Sequence, residues 1–121
     1  MKGTQPDPNS PTIELLWFDG CPNHLAAEAL VREVMDQLGI IADIHRREVP
    51  DESIGILVGF PGSPTIRVNG QDVEPGFTAC DDCTPRCRVY FAEGRMTGLP
   101  AREWVVAALR TLANKRDSGA R

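Results

Sequence analysis

Five side chains in this sequence could carry sulfur exchange or hold a soft metal. They are Cys21, Cys80, Cys83 and Cys87, with His24 three residues after the first cysteine. The thiolate, not the thiol, is the nucleophile and the metal ligand, so each cysteine matters through what stabilises its anion. Cys21 follows an Asp19-Gly20 turn signal and precedes Pro22, which suits a first helical position because it has no N–H to lose there. A thiol so placed meets unpaired backbone N–H groups and the positive end of a helix dipole. The plainer alternative is a small buried hydrophobe. His24 fits a general base or a cation beside the thiolate, and equally a polar residue of a first helical turn.

Cys80, Cys83 and Cys87 form a CxxC followed by a third cysteine four residues on. The cluster admits three chemistries. Cys87, or the Cys80/Cys83 pair, could resolve a mixed disulfide on Cys21. Three thiolates with Cys21 or His24 as a fourth ligand could hold zinc or mercuric ion. The thiols could also be free in a loop. Asp81 and Asp82 sit inside the CxxC, and like charge there opposes thiolate formation. Arg86 and Arg88 flank Cys87 and are expected to favour its thiolate.

The elements that must position these residues can be read from apolar period and turn chemistry. Ile13 to Phe18 reads as a buried strand. The next residues predict a helix from Pro22 or Asn23 to Leu38, ended by Gly39, with Leu30, Val31, Val34, Met35 and Leu38 as its core stripe. Ile40 to Val49 is a second strand of partial alternation, on which His45 reads as a solvated edge residue. Asp51 to Val58 predicts a short helix after Pro50. Ile66 to Val68 and Gln71 to Glu74 flank Asn69-Gly70, the strongest short hairpin signal. Phe77 to Thr97 has no regular pattern. Pro100 to Ala113 predicts a last helix with Trp104, Val105, Ala108, Leu109 and Leu112 on one face.

The expected order is therefore β-α-β-α-β-β-α, a mixed four-stranded sheet with helices on both faces. One domain over residues 12–114 is expected, with polar tails at 1–11 and 115–121. Acids and bases are mixed along a chain of net charge −4, with no basic stripe, which argues against a nucleic-acid partner. No apolar run reaches membrane-spanning length and no signal-peptide core is visible, so a cytoplasmic location is expected. Cysteines in that compartment point to redox or metal chemistry rather than a structural framework.

The run Phe18-Asp19-Gly20-Cys21-Pro22-Asn23-His24, the segment Gly62-Ser63-Pro64-Thr65, the Cys87-Arg88-x-Tyr90 segment and the final amphipathic helix carry a resemblance. Together they resemble small bacterial thioredoxin-like proteins, over Ile13 to Leu112. Some of those proteins bear an alkylmercury-lyase-like name, which raises mercury resistance as a context. The resemblance implies a three-layer α/β/α sandwich and a cis Pro64 facing Cys21. It departs from thioredoxin at His24, which stands where a second thiol would close a CxxC, so a resolving thiol must come from elsewhere.

The combined expectation is a thiol–disulfide oxidoreductase or thiol sensor without a cofactor, acting on protein or low-molecular-weight thiols and disulfides. Cys21 is the nucleophile, Cys87 the leading resolver, His24 a tuner and Pro64 the residue that shapes the site. The alternatives are a non-catalytic soft-metal binder through Cys80, Cys83, Cys87 and Cys21, or an adaptor that keeps only the fold.

Overall fold

The computed structural model describes residues 12–77, 80 and 82–119. The tail expected at 1–11 lies outside the described residues. The order is β1 (Ile13–Trp17), α1 (Asn23–Leu38), β2 (Ile44–Glu48), α2 (Glu52–Val58), β3 (Thr65–Val68), β4 (Gln71–Asp72), β5 (Tyr90–Ala92), β6 (Arg95–Thr97) and α3 (Arg102–Gly119). The first four strands form one mixed sheet in the order β2-β1-β3-β4. β1 runs parallel to β2, with Ile13 opposite Ile44, and antiparallel to β3, with Leu15 opposite Ile66.

Alternation along β1 sends successive side chains to opposite faces. Ile13 and Leu15 join Ile66 and Val68 of β3 in a core filled by Ala27, Val31 and Val34 of α1 and by Val105, Leu109 and Leu112 of α3. Leu16 points the other way and packs with Val49 and Phe60, with Ile54 and Val58 of α2 against them. α1 and α3 thus share one face and α2 lies on the other. His45 is exposed on the edge strand β2. Arg46 of β2 donates to Glu28 of α1, which Arg32 also reaches. The Arg46 bond foremost holds the Glu28 carboxyl below its usual range.

Local chemistry accounts for the connections. Asn69 and Gly70 both take positive φ, 51° and 82°, as a tight hairpin of this kind requires. The returning strand β4 is shorter than expected, although the Val73 N–H still donates to the Ile66 carbonyl at 3.1 Å. Asp51 caps α2 by accepting from the Ile54 N–H at 3.0 Å.

Two expectations about regularity need correction. The stretch from 77 to 97 contains a second hairpin, in which Tyr90–Ala92 pairs with Arg95–Thr97 around Glu93 and Gly94, both at positive φ. The last helix does not stop near residue 113 but continues to Gly119, through most of the expected 115–121 tail. The apolar face ends at Leu112, yet no proline lies beyond it to stop the helix.

Candidate thiol site

The residues Phe18 to Cys21 close a turn in which the Cys21 N–H donates to the Phe18 carbonyl at 3.0 Å. This turn ends β1 and sets Cys21 just before Pro22, the residue flanking α1. No side chain caps the helix start and no acid lies in its first turn. Cys21 is fully buried. Its sulfur lies 3.5 Å from the Ser63 carbonyl oxygen, to which the thiol donates.

The Ser63–Pro64 peptide is cis. Ser63 is also the point where the irregular 82–89 segment returns to the sheet. Its N–H donates to the Arg86 carbonyl at 2.7 Å, and its carbonyl accepts from the Arg88 N–H at 2.8 Å. Ser63 and Cys87 thereby pair as a parallel bridge. Gly62 permits this approach. It adopts a φ of 132°, and a Cβ there would lie 2.8 Å from the Arg88 Cβ. The Ser63 hydroxyl is buried without a hydrogen-bond partner among the described residues.

The bridge brings Cys87 to Cys21. A hydrogen bond to the Cys21 sulfur raises the Cys87 pKa above its ordinary value, with burial and the Cys21 charge adding to it. This corrects the expectation that Arg86 and Arg88 would favour the Cys87 thiolate. In an extended segment, neighbouring side chains leave on opposite sides. Cys87 is exposed, whereas Arg88 turns inward. Arg88 donates to Asp72 at 2.7 and 3.2 Å, to Glu74 at 2.6 Å and to the Thr65 hydroxyl at 3.0 Å. Its guanidinium lies between the rings of Phe77 and Tyr90, 4.7 and 4.3 Å from their centroids. Burial pulls the Arg88 pKa down, but the bond to Asp72 and the other nearby negative charge outweigh it, so the net shift is upward. Arg86 pairs instead with Asp82 at 3.0 Å.

Tyr90 completes the support under Pro64. Its hydroxyl donates to the Pro64 carbonyl, and burial, above all, pushes its pKa up. Neither Arg88 nor Tyr90 was expected in this role. The only signal was their place in the Cys87-Arg88-x-Tyr90 segment.

His24 does not approach the Cys21 sulfur through its hydrogen bond. Nδ1 lies 2.9 Å from the Cys21 carbonyl oxygen, so Nδ1 carries the proton and donates it there. The ring stacks on Trp17 at 4.5 Å between centroids. In this arrangement the Nδ1 side of His24 holds the Cys21 backbone.

Cys80 and Cys83 are joined by a disulfide with Cα atoms 5.7 Å apart. Asp81 lies outside the described residues. The alternative metal set of Cys80, Cys83, Cys87 and Cys21 is not assembled, because two of its four sulfurs are bonded to each other. No group of three possible metal ligands occurs among the described residues. No helix among the described residues is long and apolar enough to cross a membrane.

Compared with protein-family models, curated proteins and solved structures, the chain matches none.

Proposed function

We propose that the chain is a thioredoxin-like thiol–disulfide exchange protein whose redox unit is Cys21 with Cys87. The observation that carries this reading is that Cys21 and Cys87 both lie against Ser63, whose carbonyl accepts from the Cys21 thiol and whose backbone bridges to Cys87. The pair supplies the second thiol that His24 displaces from the CxxC position.

The exchange balances without a cofactor. The Cys21 thiolate attacks one sulfur of a substrate disulfide and expels the other half as a thiolate. Cys87 gives up its proton to a leaving thiolate and attacks the Cys21 sulfur. A Cys21–Cys87 disulfide forms and the second half of the substrate leaves as a thiolate, which takes a proton from water. An external thiol must then reduce the pair.

A second order of events has one observation in its favour. Cys21 has no exposed surface, whereas Cys87 is exposed, so a substrate could first meet Cys87 and be resolved from beneath by Cys21. Trapping separates the two orders. Incubation with a disulfide-bearing peptide is expected to leave a stable mixed disulfide on Cys21 in Cys87→Ser, and little adduct on Cys87 in Cys21→Ser. The reverse pattern assigns first attack to Cys87. No adduct in either folded variant, and no Cys21–Cys87 disulfide in the oxidised wild type by peptide mapping, would remove the proposal.

A further inference from the structure

Apart from the Cys21–Cys87 pair, a cleft of about 560 Å³ opens between the end of α2 and β4, lined by Arg67, Gln71, Asp72, Glu74, Phe77 and Cys80 among others. That volume suits a small molecule. Its charges are separated. Arg67 donates one N–H to the Gly59 carbonyl at 2.9 Å, and no carboxylate pairs with it among the described residues. Asp72 lies opposite Arg67 across the strands, but its carboxylate is taken by Arg88. Arg88 offers one positive charge to two carboxylates, so the group keeps an excess negative charge. Glu74, the more exposed of the two acids, carries it toward solvent. The cleft therefore presents a cation without a carboxylate partner among the described residues and a residual anion, on a wall that includes Cys80 of the disulfide.

We infer that this cleft binds a low-molecular-weight aminothiol bearing both a carboxylate and an ammonium group, and that the bound thiol reduces Cys80–Cys83. The ligand carboxylate meets Arg67, in the paired geometry that a guanidinium favours, and its ammonium meets Glu74. The ligand thiolate attacks the Cys80 sulfur, because Cys80 is the cysteine on the cleft wall. A mixed disulfide forms on Cys80, and Cys83 leaves as a thiolate that takes a proton from water. A second aminothiol attacks the ligand sulfur of the mixed disulfide and departs as the small-molecule disulfide, releasing Cys80 as a thiol. Two ligand thiols are oxidised to one disulfide while one protein disulfide is reduced. This site does not depend on the Cys21 reading.

The test uses the full chain with Cys87→Ser, which blocks exchange with the Cys21–Cys87 pair. L-cysteine, 3-mercaptopropionate, cysteamine and 2-mercaptoethanol are the probes. Acid quenching, alkylation and peptide mass spectrometry follow the loss of Cys80–Cys83, with rates divided by each thiol's thiolate fraction. L-cysteine is expected to exceed 2-mercaptoethanol by about tenfold, the size of one charge-assisted hydrogen bond. Arg67→Gln should abolish the advantage of 3-mercaptopropionate, reduce that of L-cysteine to the level of cysteamine and leave cysteamine unchanged. Arg67→Lys should restore only part of the lost advantage, because an ammonium supplies the charge without the paired geometry. Equal corrected rates for all four thiols, or a preference for 3-mercaptopropionate over 2-mercaptoethanol that survives Arg67→Gln, would overturn the inference. The same mapping on wild-type chain checks that Cys87→Ser has not altered the loop.

Discussion

Two regions of this molecule place cysteines by different means. Cys21 is set by regular elements, after a central strand packed on both faces and just before a helix. Cys87 belongs to a segment, residues 82–89, that contains no helix or strand, and is held by what surrounds it. Its neighbour Arg88 is tied to two acids, a hydroxyl and two aromatic rings, while its own backbone pairs with Ser63. Backbone ladders place one thiol, and a buried guanidinium places the other. The first placement depends on many small contributions. The second depends on a single side chain, so it should fail sharply.

Arg88→Met is the most severe way to break the contrast. Removing one partner of a buried ion pair strands the other, which costs about 3–5 kcal/mol. Asp72, with a side chain only 5% exposed, is left without its cation. A fall of that size in urea-unfolding stability is expected, together with loss of Cys21–Cys87 disulfide formation under mild oxidation. Arg88→Lys should not rescue it, because an ammonium cannot reproduce the forked contacts to Asp72 and Glu74. If the disulfide still forms readily in Arg88→Met, the Ser63 bridge alone positions Cys87.

Gly55→Ala probes the same segment at its other contact. Gly55 is buried in α2, and a Cβ built on it overlaps the Cys83 carbonyl oxygen. Alanine favours the helix by roughly 0.5–1 kcal/mol relative to glycine. Overpacking costs about 1–3 kcal/mol. A net loss of about 1 kcal/mol is therefore expected, with faster reduction of Cys80–Cys83 by dithiothreitol as the loop is pushed away. A stabilised variant with unchanged reduction would show that the loop rests only lightly on α2.

How much could be read in advance follows the same division. Strand β1, its turn, helix α1 and the Asn69-Gly70 hairpin each carry a local signal that the fold keeps. The capped helix α2 was legible from Pro50, Asp51 and the apolar run after them. The second hairpin was not, because its strands are three residues each and Phe91 and Met96 stay exposed, leaving no buried alternation to detect. The isomer of the Ser63–Pro64 bond was expected only through the resemblance of the Gly62 to Thr65 segment. The charge argument for Cys87 failed for a geometric reason. Adjacency in sequence was read as adjacency in space, but an extended backbone turns Arg88 away from the thiol that it follows. The role of Arg88 was illegible because its partners, Asp72 and Glu74, lie on and just after another hairpin strand.

The finest test asks whether the two regions communicate through sulfur. Cys87 is exposed, yet its pKa is raised, and the hydrogen bond to Cys21 is the foremost cause. Removing that acceptor with Cys21→Ala should lower the Cys87 pKa toward an ordinary thiol. The alkylation rate of Cys87 by iodoacetamide, followed against pH by mass spectrometry, should then rise at lower pH than in the wild type. The linked effect on stability has a definite sign. A pKa raised by folding stabilises the native state below the unfolded thiol's pKa, and that contribution disappears as pH rises through the folded value. Wild-type stability should therefore show a small loss on the alkaline side that Cys21→Ala lacks. Superimposable alkylation profiles for the two proteins would mean that the sulfurs do not interact, and that the segment delivers Cys87 beside Cys21 without coupling their protons.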